Sequence, residues 1–219
     1  MLQTPQVMTP HPPVRTVSGM PRSRKLSPSF FRPTAPVVAE ALIGKILVHR
    51  RADGSLRRGR IVETEAYCGP TDLASHSSKG RTKRTEVMFG PAGRAYVYFI
   101  YGMHEMFNVV VGKTGDAQAV LLRAAEPLDG WDANLSGPGR LARGFEIHRG
   151  HNGVRITTGD LYFADDGYVP KTIDRSRRIG VDYAQHWAEE LLRFYDADSK
   201  AVSRMPARRS APRTPTRSR

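Results

Sequence analysis

The sequence of 219 residues has one cysteine, Cys68, and no run of about 18 consecutive apolar residues. A single cysteine excludes an internal disulfide framework, a multi-cysteine zinc site and an iron–sulfur cluster. The missing apolar run excludes a membrane-spanning helix, and the N-terminus has no apolar signal core. The HExxH metal motif, the GxGxxG fingerprint and the P-loop are also missing, so we expect no metal site.

Acidic residues are scarce, because 21 Asp and Glu stand against 34 Lys and Arg, for a net charge of +13. Such a balance favours an anionic partner, nucleic acid first. Most of the charge lies at the ends: residues 1–27 hold four bases and residues 204–219 hold six arginines, with no acid or aromatic residue in either. These segments cannot bury enough apolar surface to offset their ordering entropy. We therefore predict disordered tails at 1–27 and 204–219, and one folded domain at 28–203 with a charge of +3.

Strand patterns outnumber helical patterns in the predicted domain. Residues 35–42 are predicted as a helix, because Pro36 suits its first turn and Gly44 its end, and a second helical stretch lies within 135–146. Strands are predicted at 45–49, 59–67, 95–101, 107–111, 119–124, 155–163 and 192–195. Because the strands mostly follow one another, we predict an α+β fold: a curved, mostly antiparallel sheet with flanking helices.

The strands predicted at 95–101 and 107–111 flank Gly102, a spacing typical of a β-hairpin that protrudes from the sheet. Its tip would carry Tyr101, Met103 and His104. Exposed apolar tips often serve as wedges or as interface anchors.

Glu63, Glu65 and Tyr67 lie on one face of a predicted strand, because side chains alternate along a strand. They are either a general base beside a flat ligand or ordinary charges on an exposed face. Arg123 interrupts an apolar strand and must be paired or point into a cleft, unless it faces solvent from an edge strand. A carboxylate such as that of Glu65 would be a suitable partner.

Two further segments could contact phosphate groups. A loop around Arg81 and Arg84 is basic, and residues 136–140, Ser-Gly-Pro-Gly-Arg, could present backbone N–H groups at a helix start. The alternatives are a solvated charged loop and an ordinary helix-start turn.

Several stretches, taken in order, carry a resemblance to a known family. They are RIVETEAYCGPTDLASHS, GRTKRTEVMFGPAGRAYVYFIYGMHEMFNVVV, AVLLRAAEPLDG, LSGPGRLARGFEI, and RRIGV followed by LRFY. Together they resemble the alkyladenine (3-methyladenine) DNA glycosylase family, the single-domain purine type, over about residues 26–195. The resemblance implies a monofunctional hydrolase that flips alkylated or deaminated purines out of duplex DNA, cleaves the N-glycosidic bond and leaves an abasic site, with no cofactor.

The resemblance also implies a role for individual residues. Glu65 would be the general base that activates water, and Arg123 would hold that water and the flipped nucleotide. The base pocket would be formed by Tyr67, His76, Tyr98 and Asn108, of which Asn108 would disfavour the 2-amino group of guanine. Tyr101 and Met103 would intercalate into the DNA. Glu63 is interpreted as structural. From the basic loop and the helix-start turn themselves, contacts to the DNA backbone are expected at Arg81, Arg84, Ser136, Gly137 and Arg140.

The chain departs from the family pattern at a few positions. Glu105 places an acid beside the hairpin tip, Lys83 and Thr85 stand where Pro and Asn are expected, and Arg155 replaces a frequent acid. An acid that faced phosphates would weaken DNA binding, so Glu105 must point away or the tip must dock differently.

Two other functions remain open from the sequence. A non-catalytic nucleic-acid-binding module, folded like the C-terminal domain of methionyl-tRNA formyltransferase, would need the basic surface but not Glu65. A hydrolase of free nucleosides would not need the hairpin. For the glycosylase we expect a monomer whose partner is double-stranded DNA with damaged purines. It would bind no membrane and would be cytoplasmic and nucleoid-associated in a bacterium, or nuclear in a eukaryote, and not secreted.

Overall fold

A computed structural model of the chain describes residues 23–100 and 102–203. The predicted tails 1–27 and 204–219 therefore lie largely outside the described residues, as does Tyr101. Within the described ranges the helices and strands are α1 (Ala35–Leu42), α2 (Pro138–Gly144), β1 (Arg24–Lys25), β2 (Ile46–Arg50), β3 (Leu56–Tyr67), β4 (Ala95–Ile100), β5 (His104–Val111), β6 (Gln118–Pro127), β7 (Leu161–Asp165), β8 (Ile173–Ser176) and β9 (Arg193–Asp196). Short 3₁₀ turns occur at Pro28–Phe31, His76–Lys79, Glu86–Phe89, Arg149–His151 and Gln185–Ala188.

All nine of these strands belong to one open sheet in which every pair is antiparallel. The order is β1-β7-β2-β3-β6-β5-β4, and β9 pairs with both β3 and β8. The predicted α+β fold with an antiparallel sheet and flanking helices is therefore confirmed. None of the helices in the described ranges is long and apolar enough to cross a membrane.

Strand β3 is the strand on which the sheet branches. One edge pairs with β6, whereas the other edge pairs first with β2 and then, from Glu63 to Glu65, with β9. The β3–β6 register is irregular around Glu63, where the partner changes. Such irregularities locally disrupt the ladder and redirect side chains. The branch therefore brings β9 and the chain that follows it to the two glutamates of β3.

Helix α1 has the predicted bounds. Pro36 lies in its first turn, and its buried side chains are Ala35, Val38, Ala39 and Leu42. After the helix, Gly44 has a φ of +87°, and a Cβ there would lie 3.0 Å from Pro170. Glycine is the residue that adopts this conformation without a steric penalty.

The hairpin joins β4 to β5, with Ile100 paired to His104, so residues 101–103 connect the strands. Met103 is 68% exposed and Gly102 has a φ of +66°. A protruding tip was predicted from this glycine, and the β4–β5 pairing agrees with that prediction.

Other predicted elements differ from the structure. The strand predicted at 155–163 begins only at Leu161, because residues 156–160 form turns and bends, with Gly159 at a φ of +81°. Arg155 instead makes one isolated bridge with Arg94. Strand β8 was missed because its four residues, IDRS, carry no apolar alternation. Arg24 and Lys25, assigned by composition to the tail, pair with β7.

Thr64 gives a test of how β3 and α1 are held together. Its buried hydroxyl donates to the carbonyl of Ala39 at 2.9 Å, a group in the last turn of α1. Such carbonyls lack a partner within the helix. We expect Thr64→Val to lower the free energy of unfolding by about 1–3 kcal/mol, because the shape is kept and a buried carbonyl loses its donor. Denaturant titration measures the change. Exposed Thr158→Val is the control, with a change within about 0.5 kcal/mol, and equal effects of the two variants would contradict the assignment.

Candidate active site

Two glutamates of β3 are wholly buried side by side and share one arginine. Glu63 and Glu65 are both 0% exposed, and Arg123 of β6 contacts both of them. Its Nε donates to Glu63 Oε1 at 2.7 Å, and its Nη1 lies 3.2 Å from Glu65 Oε1. The expected pairing of Arg123 with Glu65 is therefore present. Thr64, between the glutamates, bonds to α1 instead.

The carboxylate of Glu63 is surrounded by protein donors. Besides Arg123, it accepts Nε of Arg193 at 2.7 Å, the Ser203 backbone N–H at 2.6 Å and the Ser203 hydroxyl at 2.9 Å. Burial alone would raise the pKa of Glu63, but the charges of Arg123 and Arg193 and these hydrogen bonds outweigh it and lower the pKa. Glu63 therefore acts within the fold as the charged anchor of both arginines.

The carboxylate of Glu65 has fewer donors. Oε1 accepts the Ile179 backbone N–H at 2.8 Å and faces Arg123, and Oε2 accepts the Tyr67 hydroxyl at 2.9 Å. Burial, and then the charge of Glu65, raises the pKa of Tyr67 well above its ordinary value, so this hydroxyl stays protonated. A carboxylate offers about four acceptor positions. Three are taken by Ile179, Arg123 and Tyr67, so one acceptor position of the buried carboxylate has no protein donor assigned to it.

A cavity of about 900 Å³ opens beside the neighbours of Glu65, whose own side chain is 0% exposed and does not belong to the lining. Tyr67, Arg123 and Ile179, the three neighbours of the Glu65 carboxylate, all line it. The lining includes eight of the residues predicted to form the site: Tyr67, His76, Tyr98, Asn108, Arg123, Ser136, Gly137 and Arg140. The fold thus brings these residues around one space.

One wall of the cavity is a cluster of aromatic rings. His76 lies edge-on to Tyr98 with 4.5 Å between ring centroids, and its Nδ1 shares a hydrogen bond of 2.9 Å with the Tyr96 hydroxyl. Burial, helped by the nearby charge of Arg84, lowers the pKa of His76 to about 4. Burial also raises the pKa of Tyr98. At neutral pH this aromatic wall is therefore uncharged.

Asn108 of β5 forms a polar part of the lining. It is 3% exposed, and its Nδ2 donates to the Tyr96 carbonyl at 3.1 Å. Because this bond fixes the amide, the group occupies a defined position in the cavity.

Of the predicted phosphate-contact residues, Ser136, Gly137 and Arg140 line the cavity, whereas Arg81 and Arg84 are not part of its lining. Ser136 and Gly137 precede α2, and Nη1 of Arg140 donates back to the Ser136 carbonyl at 3.2 Å. Arg84 lies 5.1 Å from the ring centroid of Tyr98. Arg81 is exposed and pairs with Glu86 at 3.3 Å.

The unusual acid near the hairpin tip has a partner. Glu105 Oε1 lies 3.4 Å from Nε of Arg149, which also covers the ring of Phe99. The charge of Glu105 is therefore balanced by an arginine from outside the hairpin. Thr85 is buried and shapes the basic loop, since it accepts the Thr82 N–H at 2.8 Å and donates to the Gly80 carbonyl at 2.9 Å.

Sequence reasoning assigned no role to four residues that complete the site. Arg178 and Asp72 form a fully buried bidentate pair at 2.6 and 2.9 Å, and the guanidinium lies 4.8 Å from the Tyr67 ring centroid. Arg193 and Ser203 bind Glu63. Two of these four, Arg178 and Arg193, lie in the RRIGV and LRFY segments, and the resemblance of those segments to the family was the one sequence signal for them. Across residues 23–100 and 102–203, no three His, Cys, Asp or Glu side chains group as a metal site requires.

Comparison with known proteins identifies the family. The family model described as methylpurine-DNA glycosylase matches residues 29–200. A Myxococcus xanthus (strain DK1622) protein is 50% identical over 184 residues, which cover 83% of this chain and 94% of the relative. A Legionella pneumophila (strain Lens) protein is 49% identical over 183 residues, 83% of this chain and 99% of the relative. Both are named "Putative 3-methyladenine DNA glycosylase". The chain belongs to the methylpurine-DNA glycosylase family.

The anchoring role of Glu63 has a measurable pH dependence. We expect Glu63→Gln to lower the free energy of unfolding by about 3–5 kcal/mol at neutral pH, because the buried charge that faces both Arg123 and Arg193 is removed. The pKa of Glu63 is lower in the folded state than the unfolded value near 4.5. Its contribution is therefore present above that value and is lost as the pH falls through the folded pKa. Denaturant titrations from pH 7 downwards should show that the difference in free energy of unfolding between wild type and Glu63→Gln becomes smaller as the pH falls.

The control is Glu40→Gln, since Glu40 is a partly exposed partner of Arg175 outside the buried network. Its effect should be at most about 1 kcal/mol. If the difference in free energy of unfolding between wild type and Glu63→Gln stayed constant with pH, the anchoring role of the Glu63 charge would be contradicted.

Proposed function

We propose that this member of the family is a base-excision repair enzyme that removes alkylated or deaminated purines from duplex DNA and leaves an abasic site. The observation that carries the proposal is the carboxylate of Glu65, which lies directly behind an aromatic cavity and keeps one acceptor position. A non-catalytic binding module would not require this arrangement. Membership of the family supports the same reaction class.

The damaged nucleotide enters the cavity by base flipping. The reacting C1′ atom is inaccessible inside a duplex, so the nucleotide must leave the stack at a cost of a few kcal/mol. The cavity of about 900 Å³ is large enough for one flipped nucleotide. Stacking on Tyr67, His76 and Tyr98 returns roughly 1–3 kcal/mol per base. Because the pKa of His76 is lowered to about 4, its neutral ring does not repel a positively charged methylpurine.

Hydrolysis then follows with Glu65 as the general base. A water at its remaining acceptor position gives a proton to the carboxylate while the water oxygen attacks C1′. The N-glycosidic bond breaks, and its electron pair leaves with the purine. The transition state at C1′ resembles an oxocarbenium ion, which a nearby carboxylate also stabilises. A cationic alkylpurine leaves as a neutral base and needs no proton.

Arg123 holds the water and the flipped nucleotide. One edge of its guanidinium is bound by Glu63 and Ser203, and the side chain still lines the cavity. The part of the cavity lining that lies in the described ranges contains no lysine, so water is the nucleophile in this proposal and the enzyme is monofunctional.

The DNA is held around the cavity by the hairpin and the basic segments. Tyr101 and the exposed Met103 fill the gap left by the flipped nucleotide. Arg81, Arg84 and residues 136–140 contact the phosphates. The proposed enzyme works as a monomer on chromosomal DNA, in the nucleoid or the nucleus.

The general-base role is tested by Glu65→Gln. We expect single-turnover release of methylated purines from duplex DNA to fall about 10²–10⁴-fold, because Gln cannot accept the proton of water. Binding of the same duplex should remain. Release is measured as alkali-dependent strand scission on a gel, and binding by fluorescence anisotropy. Glu40→Gln serves as the matched control with unchanged activity, and retained excision by Glu65→Gln would remove Glu65 from this role.

The selectivity role of Asn108 is tested by Asn108→Ser. The smaller side chain makes room for the 2-amino group of guanine, so we expect the ratio of activity on methylated guanine to activity on methylated adenine to rise about tenfold. The ratio is measured by chromatography of bases released from one methylated duplex. An unchanged ratio would argue against a steric filter at Asn108.

A further inference from the structure

The segment after β9 returns to the candidate active site. Val202 is buried, and its carbonyl accepts the Ser136 hydroxyl at 3.4 Å. Ser203 follows and lines the cavity. The last part of the described chain therefore forms one wall of the site.

Ser203 contacts both members of the buried ion pair Glu63–Arg123: its backbone binds Glu63, and its hydroxyl binds both residues. Its N–H donates to Glu63 Oε2 at 2.6 Å, and its hydroxyl donates to Glu63 Oε1 at 2.9 Å. The same hydroxyl oxygen accepts Nη2 of Arg123 at 3.2 Å. A serine hydroxyl has one donor and two acceptor positions. The hydroxyl of Ser203 thus bridges Glu63 and Arg123.

This bridge determines which way the guanidinium of Arg123 faces. Its Nε donates to Glu63 and its Nη2 donates to the Ser203 hydroxyl. The third nitrogen, Nη1, is left beside Glu65. Because the guanidinium is planar and its donors have a fixed geometry, holding two nitrogens fixes the third. Without the hydroxyl, one of these two anchors is lost.

We propose that Ser203 is a positioning residue, whose hydroxyl holds Arg123 in the orientation that serves Glu65 and the bound nucleotide. The proposal rests on the function proposed above. Ser203 acts through Arg123 and has no part in proton transfer.

Ser199 provides a matched comparison in the same segment. Ser199 is buried, whereas Ser203 is partly buried, and the hydroxyl of Ser199 also makes two hydrogen bonds: it donates to Glu126 at 2.5 Å and accepts the Ala201 N–H at 3.1 Å. Neither Ser199 nor Glu126 lines the cavity. If the segment served only stability, the loss of either hydroxyl would have a similar effect on the reaction.

The test compares full-length wild type, Ser203→Ala, Ser203→Thr and Ser199→Ala on a duplex with methylated purines. Single-turnover release, affinity for the same duplex and thermal unfolding are measured for each. We expect Ser203→Ala to slow release about 10- to 100-fold while the Kd stays within about twofold, because misplacement of a catalytic group costs rate more than binding. Ser203→Thr keeps the hydroxyl and should restore most of the rate. Ser199→Ala should release bases at the wild-type rate.

The outcomes separate this proposal from the proposed function. An active wild type together with an unimpaired Ser203→Ala would overturn the role of Ser203 alone. Equal slowing by Ser203→Ala and Ser199→Ala, in step with their losses of thermal stability, would also overturn it. A wild type that released no base would overturn the proposed function, and the role of Ser203 with it.

Discussion

The site depends on one constraint: two buried carboxylates must be balanced by buried arginines. Neighbouring carboxylates without compensation could not both stay ionised away from water. Glu63 and Glu65 are compensated because Arg123 contacts both and Arg193 adds a second charge at Glu63. These contacts join β3, β6, β9 and the chain after β9 in one network. Because removing one partner of such a network leaves an unpaired buried charge, its parts hold one another in place.

The two glutamates lie two residues apart, but their carboxylates accept different numbers of hydrogen bonds from the protein. Glu63 accepts donors from both arginines and from Ser203, and lies within the fold. Glu65 keeps an acceptor position and lies behind the cavity lined by Tyr67 and Arg123. One carboxylate therefore anchors the arginines, and the other remains available for chemistry. The same strand supplies both because its side chains alternate, so that both glutamates face Arg123 while Thr64 bonds to α1.

Local signals in the sequence predicted part of this arrangement. An arginine inside an apolar strand needs a partner, and the predicted partner Glu65 is one of the two that Arg123 has, the closer one being Glu63. Pro36 and Gly44 bound α1, and Gly102 marks the hairpin. The network beyond Glu65 could not be predicted, because Arg193 and Ser203 lie 130 and 140 positions from Glu63 in sequence and meet it only through the branch at β3. Strand β8 was missed because its pairing with β9, and not its own pattern, makes it a strand.

The central claim is that the protein hydrolyses the N-glycosidic bond of damaged purines in the cavity beside Glu65. The most direct test of this claim uses the wild-type protein. It is incubated with duplex DNA that carries methylated purines. The released bases are identified by chromatography, and the strands are examined before and after alkali. The account predicts free methylpurines, with strand breaks that appear only after alkali. Tight binding of the duplex without any base release would contradict it.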